Sequence, residues 1–188
     1  MTHIYLIRHG ETEENKLQIL QGHLPGRLTA LGRDQAELLR DRLSQSKTPF
    51  DLILSSDLQR TIDTANIVNS ALHLPLLPCP LLRERNWGSY TGVSISLAQS
   101  TPIPEDAESV SQMFERAKRF LLYVDTHFRD KRILAVGHGL FNRTIQAALL
   151  GITIKDTPRF ENGEVRPLSF SHLPTSWLLD EQQIVSAD

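Results

Sequence analysis

Apolar residues recur along the chain in two periods. Short unbroken runs at residues 4–7, 52–54, 74–77 and 133–136 read as strands buried on both faces. Between them the spacing is helical. Thr29 can cap a helix reaching about Leu43, with Leu31, Leu38, Leu39 and Leu43 on its apolar side. Asp57 can cap a second, through Ile62, Ala65, Ile67, Val68 and Leu72. Ser109 and Gln112 form a capping-box pattern ahead of Phe114, Ala117, Leu121, Val124 and Phe128. Residues 140–150 continue helically and stop at Gly151.

Strands alternating with helices predict an α/β fold, a three-layer sandwich with a mainly parallel central sheet flanked by helices. Residues 89–108 fit neither period and read as a short insertion or lid, where Pro102 and Pro104 limit regular structure. Residues 163–170 form a candidate last strand, and Pro167 favours the sheet edge. The stretch after Ser171 gives no assignable element. Without repeats or long linkers, 188 residues are expected to make a single domain with its own core.

A hydrophobic content of 40% and a charged content of 22% suit a globular protein. A formal net charge of −2 exerts no global pull on nucleic acid or anionic membrane. Neither is expected as a partner, and any phosphate chemistry must use a local cluster of positive charge. The single cysteine, Cys79, excludes an intrachain disulfide and reads as a small buried hydrophobe. No run approaches the ~20 apolar residues that cross a bilayer, so a cytoplasmic enzyme is expected.

The reactive residues stand at telling positions. Arg8-His9-Gly10 follows the first strand, and Ser55-Ser56-Asp57-Leu58-Gln59-Arg60 follows the second. Leu82-Arg83-Glu84-Arg85 follows the third, and Gly137-His138-Gly139 the fourth. Carboxyl ends of strands line the ligand crevice of open α/β sheets. If the four strands are parallel neighbours, Arg8, His9, Arg60, Glu84 and His138 converge. Two guanidiniums can each grip phosphate oxygens in bidentate fashion, and Arg60 would sit in the first turn of its helix. A neutral imidazole can attack phosphorus, and a carboxyl group can protonate the leaving alkoxide.

Other residues read more simply. His3, His73, His127 and His172 are taken as structural, and His23 as a surface-loop residue, with reach to the site mouth from the Gln21-Gly22 loop as the alternative. Asp57 is taken as a helix cap, while Arg40/Arg42 and Lys131/Arg132 are taken as solvated faces. No metal site is expected: His-Glu-x-x-His, cysteine pairs and Asp-x-Asp are all absent, and two arginines aimed at one point repel a cation.

The segment Leu6-Ile7-Arg8-His9-Gly10-Glu11-Thr12-Glu13-Glu14-Asn15 resembles the signature of the histidine phosphatase superfamily, the phosphoglycerate-mutase-like proteins. Further blocks resemble it in order: Gln21-Gly22 with Leu28-Thr29-x-x-Gly32, then Ser55 to Thr61 with Thr64-Ala65. Leu82-Arg83-Glu84 with Trp87-Gly88 and Gly92 comes next, and Val136-Gly137-His138-Gly139 last. The resemblance implies that His9 becomes phosphohistidine and that Arg8, Arg60 and His138 hold the phosphoryl oxygens. It implies hydrogen bonds from Asn15 and the Gly139 N–H, with Gln21 and Gly22 lining the mouth. Glu84 would be the acid and then the base, without metal or other cofactor. One departure is Pro25-Gly26, where family members often carry an acidic residue after Gln-Gly-x-x.

The family includes mutases and bisphosphatases as well as phosphatases. Mutases resembling this chain use several basic residues after the catalytic Glu to hold an anionic phosphoglycerate. Here no Lys or Arg lies between Arg85 and Arg116, whereas Glu105, Asp106, Glu108 and Glu115 do. Unpaired buried charge is costly, and a short lid shields a phosphohistidine poorly from water. The expected activity is therefore hydrolysis of a small phosphorylated metabolite. A 2,3-bisphosphoglycerate-dependent phosphoglycerate mutase is the alternative, and a non-catalytic phospholigand-binding module is one of another class. Tyr90, Val93, Ile95 and Leu97 would favour an apolar or sugar-like leaving group if they face the pocket, or else merely pack the insertion down.

Overall fold

A computed structural model describes residues 1–177. The chain begins with β1 (Thr2–Arg8), α1 (Glu13–Lys16), α2 (Ala30–Ser44), β2 (Leu52–Ser55) and α3 (Gln59–Leu72). It continues with β3 (Leu76–Pro78), α4 (Ile95–Ser100), α5 (Val110–His127), β4 (Arg132–Gly137), α6 (Gly139–Leu150) and β5 (Val165–Phe170). The sheet order is β3-β2-β4-β1-β5. The first four strands are parallel, and β5 closes the edge antiparallel to β1, with Pro167 opposite Tyr5. Carrying Pro at an edge leaves no inner ladder bond unmade.

Two-residue alternation explains the layers. Ile4 and Leu6 of β1, with Ile133 and Ala135 of β4, face Phe120, Leu121 and Val124 of α5 and Phe141 and Ile145 of α6. Ile7, Leu134 and Val136 face the other way, onto Leu39 and Leu43 of α2 and Ala65 and Val68 of α3. Each such Ile, Leu, Val or Phe contributes about 1.5–3 kcal/mol on leaving water, so sliding β1 by one residue would expose a whole face. Cys79 sits in this core, its thiol pushed up to about 11 by burial.

The caps agree with the sequence at two helices and disagree at one. Thr29 accepts from the Gly32 N–H at 3.0 Å. Ser109 and Gln112 make both arms of the capping box. Asp57, however, does not cap α3, whose N-cap is Leu58 without a side-chain bond. Its carboxylate instead accepts from both Arg83 Nε, at 2.7 Å, and Arg83 Nη2. A bidentate charge-assisted pair outweighs one bond to a backbone N–H. The buried stripe of α2 is also rotated from expectation: it runs Gly32, Ala36, Leu39, Leu43. Leu31 and Leu38 face solvent, 53% and 64% exposed.

Three further elements depart from the sequence reading. The third strand is Leu76–Pro78, later than residues 74–77. Within 89–108, Ser94 caps the six-residue α4, an element that the sequence period did not mark. That insertion docks on residues 18–20, with Leu20 N–H donating to Val93 O at 2.9 Å and Ile95 N–H to Gln18 O at 2.8 Å. The one-turn α1 was likewise unexpected; Thr12 and Asn15 cap it reciprocally. Its approach is set by two glycines, since a Cβ on Gly10 would lie 2.1 Å from Gly32 O and one on Gly32 2.0 Å from Glu11 O.

Candidate active site

The site forms where the parallel strands end. The His9 N–H donates to Gly137 O at 3.1 Å, which ties the exit of β1 to that of β4. In the His9 ring, Nδ1–H donates to Gly10 O at 2.7 Å. A carbonyl can only accept, so the proton resides on Nδ1 and the Nε2 lone pair is left bare. The ring is buried, and that burial, followed by the Arg60 and Arg8 charges, holds its pKa well below the ordinary histidine value.

His138, at the end of β4, stacks edge-on against His9 with centroids 5.2 Å apart. Its Nε2 lies 3.0 Å from Ser56 Oγ at the end of β2, and its buried Nδ1 has no partner among the described residues. Burial first, then Arg60 and His9, also pushes its pKa well down. Both imidazoles therefore stay neutral in the fold. Below about pH 6.5 they charge in the unfolded chain, so unfolding takes up protons and stability falls as pH drops through that value. Thermal unfolding temperature is expected to decline from pH 7.5 to 5.0, above the carboxylate range, and less steeply in His9→Gln. A profile that is flat there, or unchanged by the substitution, would contradict a neutral buried His9.

Arg60 lies in the first turn of α3 and is 1% exposed. Its Nη2 donates to Gly22 O at 2.9 Å, its Nη1 to Leu24 O, and its backbone N–H to Pro25 O at 3.0 Å. Burial lowers its pKa to about 10, partly offset by Glu84 and Glu14, which still leaves it cationic near neutrality. The Pro25-Gly26 departure now has a reason. Gly26 sits at φ +68°, and a Cβ there would come within 2.9 Å of Arg60 Cδ and 2.7 Å of Gln21 Oε1. The loop clasps the arginine and has no room for an acidic side chain.

Arg8 Nη1 donates to Phe160 O at 2.6 Å, while its Nε lacks a partner among the described residues. Gly139 lets the backbone approach it, since a Cβ there would lie 3.2 Å from that Nε. Glu84 accepts from Arg85 N–H at 2.9 Å, Phe141 N–H at 3.1 Å and Leu140 N–H at 3.2 Å. Its carboxylate thus rests on the positive end of α6. It is not a surface partner of Arg83 or Arg85: the former binds Asp57, and the latter stacks on Trp87, 4.3 Å from the ring centre. His23 is more than a loop residue. Its Nε2–H donates to Glu84 O at 2.9 Å, and Arg116 Nη1 donates to Arg83 O at 2.6 Å, which together brace that turn.

A cavity of about 260 Å³ opens between these groups. Arg8, His9, Asn15, Gln21, Gly22, Arg60, Glu84 and Gly139 line it, and His138 packs edge-on against His9. Asn15 Oδ1 accepts from Thr12 N–H and Asn162 Nδ2, so its own amide N–H groups stay uncommitted among the described residues. Of the four insertion residues, Ile95 reaches the cavity, Tyr90 hydrogen-bonds Thr101 and Pro102, Val93 O accepts from the Leu20 N–H, and Leu97 is exposed. Among the described residues no cluster of three or more His, Cys, Asp or Glu could hold a metal ion. Nor is any described helix long and apolar enough to cross a membrane.

Two charged lining residues were missed from the sequence, Arg143 and Arg159, as were the apolar Ile19, Leu20, Leu140 and Phe160. Arg143 follows Gly139 by four positions on α6, a spacing that places both on one helix face. Arg159 lies in an irregular stretch with no period to reveal it. The absence of basic residues after Glu84 therefore does not describe the whole cavity, whose further cations come from the C-terminal side.

Comparisons with known proteins fall in line with this geometry. The family model described as histidine phosphatase superfamily (branch 1) matches residues 4–177. A relative named as an uncharacterized phosphatase, PhoE of Bacillus subtilis (strain 168), is 31% identical over 143 residues, covering 74% of this chain and 72% of that one. A protein named as a probable phosphoglycerate mutase, GpmB of Proteus mirabilis (strain HI4320), is 29% identical over 204 residues, covering 100% of this chain and 93% of that one. Among solved structures, Bacillus stearothermophilus YhfR superposes with a TM-score of 0.82 at 26% identity, covering 90% of this chain and 91% of that one.

Proposed function

This chain belongs to the histidine phosphatase superfamily (branch 1), and from that premise we propose that it hydrolyses small phosphomonoesters through a phosphohistidine at His9. The observation that carries the reading is the bare Nε2 of a neutral, buried His9 at a cavity wall shared with Arg8, Arg60 and Glu84. Nε2 attacks phosphorus as the ester P–O bond breaks, and Arg8, Arg60, Asn15 and the Gly139 N–H hold the phosphoryl oxygens. Such fixed donors act on charge without reorganising at the moment of reaction. Glu84 protonates the leaving alkoxide, and the α6 N–H groups receive the carboxylate that results. Glu84 then takes a proton from water, which attacks phosphorus and restores His9. His138, packed on the His9 ring, offers its unpartnered Nδ1 to the charge developing there.

A chromogenic phosphate ester assayed with excess chelator tests this. Turnover is expected to persist undiminished, and its loss on chelation would reject a metal-free mechanism. The mutase is the second reading, favoured by the cations Arg143 and Arg159 at the cavity. With 3-phosphoglycerate and a trace of 2,3-bisphosphoglycerate, phosphate release is expected to outrun isomer exchange, and the reverse would make the protein a mutase. Tight phosphate binding without release from any ester would instead mark a binding module.

A further inference from the structure

Among the described residues the cavity wall carries four arginines, Arg8, Arg60, Arg143 and Arg159, and a single carboxylate, Glu84, whose oxygens are already engaged by backbone N–H groups. A phosphoryl dianion answers Arg8 and Arg60. The other two remain. Arg143 is pinned: Nε donates to Thr157 O and Oγ1, both at 3.1 Å, and Nη2 to Ile154 O at 2.5 Å, so its Nη1 is the uncommitted end. Burial first, and then the nearby charges of Arg159 and Arg166, holds its pKa below the usual arginine value.

Arg159 is presented on a fixed backbone with a free head. Its carbonyl accepts from Arg166 Nη2, Pro158 O accepts from Arg166 Nη1 at 2.9 Å, and the next residue, Phe160, receives Arg8 Nη1. Arg166 itself is paired with Glu164 and lies over the Phe160 ring, 3.9 Å from its centre. The Arg159 guanidinium makes no hydrogen bond or ion pair among the described residues. Like charges held together at a concave wall focus positive potential where a ligand would sit.

Resting on the hydrolase reading above, we propose that Arg159, supported by Arg143, binds a carboxylate on the alcohol half of the substrate, so that the preferred esters are small phosphorylated hydroxy acids. A compact anion suits a cavity of about 260 Å³ that must also take the phosphoryl group. Arg is the fitting residue because its planar fork matches a carboxylate.

The matched pair 3-phosphoglycerate and glycerol 3-phosphate differ only in carboxylate against hydroxymethyl. Wild-type kcat/KM, read as phosphate release, is expected to favour 3-phosphoglycerate about tenfold or more, as one charge-assisted hydrogen bond commonly supplies. Arg159→Gln should remove most of that preference through KM, lowering the 3-phosphoglycerate value at least about fivefold more than the other, and Arg159→Lys should restore part of it. Equal losses on the two esters, or no preference in the wild type, would overturn the inference. Calorimetric binding of the same pair to His9→Gln separates it from the hydrolase reading. If neither ester is hydrolysed yet 3-phosphoglycerate binds more tightly, and Arg159→Gln abolishes the difference, the carboxylate site stands and hydrolysis falls. Equal binding of the two ligands sinks the site whatever the turnover.

Discussion

Replacing His9 with glutamine lowers kcat on a chromogenic phosphate ester by about 10⁴-fold or more, the scale on which enzymes lose turnover with their nucleophile. The size follows from what the ring supplies. Glutamine can still donate to a carbonyl, but it has no nitrogen lone pair able to form a bond to phosphorus. The arginines, Glu84 and the cavity would remain, and with them phosphate binding. Stopped-flow mixing with excess ester, followed by acid-labile phosphate analysis, should find covalent phosphoprotein in the wild type and none in the variant. Turnover within tenfold of wild type would remove His9 from the chemistry and with it the phosphohistidine. His9 also lies within a buried imidazole pair, so circular dichroism of the variant must show native content for the loss to be read as chemical.

Arg60→Ala lowers kcat by about 10²–10³, the cost typical of losing one preorganised donor from a developing charge. Two effects act in one direction. The cation that helps hold His9 neutral is gone, and so is the clasp on Gly22 O and Leu24 O that shapes the cavity mouth. Arg60→Lys separates them. Lysine keeps the charge but cannot bridge two carbonyls while facing a phosphoryl oxygen in a planar fork. It should therefore recover only part of the rate, and inorganic phosphate should inhibit both variants more weakly than the wild type. Near-normal kcat in Arg60→Ala would mean that this guanidinium serves the loop and not the reaction. A kcat in Arg60→Lys equal to wild type would reduce its role to charge alone.

How much of this was legible before folding can be argued residue by residue. The strands at 4–7, 52–54 and 133–136 announced themselves because a strand buried on both faces must be apolar at every position. Residues 74–77 were less well read, since β3 is an edge strand of three residues and half-exposed, with little burial to mark it. The caps at Thr29 and Ser109 were legible because capping is local, completed within three residues. Asp57 was misread for the complementary reason: Arg83, 26 positions away, competes for its carboxylate. Leu31 and Leu38 misled because a leucine on a helix signals burial on average, whereas which side faces the sheet depends on what is packed there.

The candidate site divides along the same line. Arg8, His9, Arg60, Glu84 and His138 could be listed together because each ends a strand or follows one within a few residues, and parallel strands end on one side. That His138 would pack edge-on against His9 while resting on Ser56 needed β4 between β2 and β1. Gly26 read as a departure until its positive φ and the Arg60 side chain filled the space where another residue would project.

By itself, then, the order of residues determined the layered α/β plan, the chemical kinds of group at the strand ends, and the family to which they belong. All of these depend on short-range periodicity and on motifs only a few residues long. Tertiary structure alone decided what anchors Glu84 to the start of α6, and that Arg159 joins the wall near Arg8. Those facts depend on contacts between segments 57 and 152 positions apart, made by irregular stretches where no repeat of polarity records them.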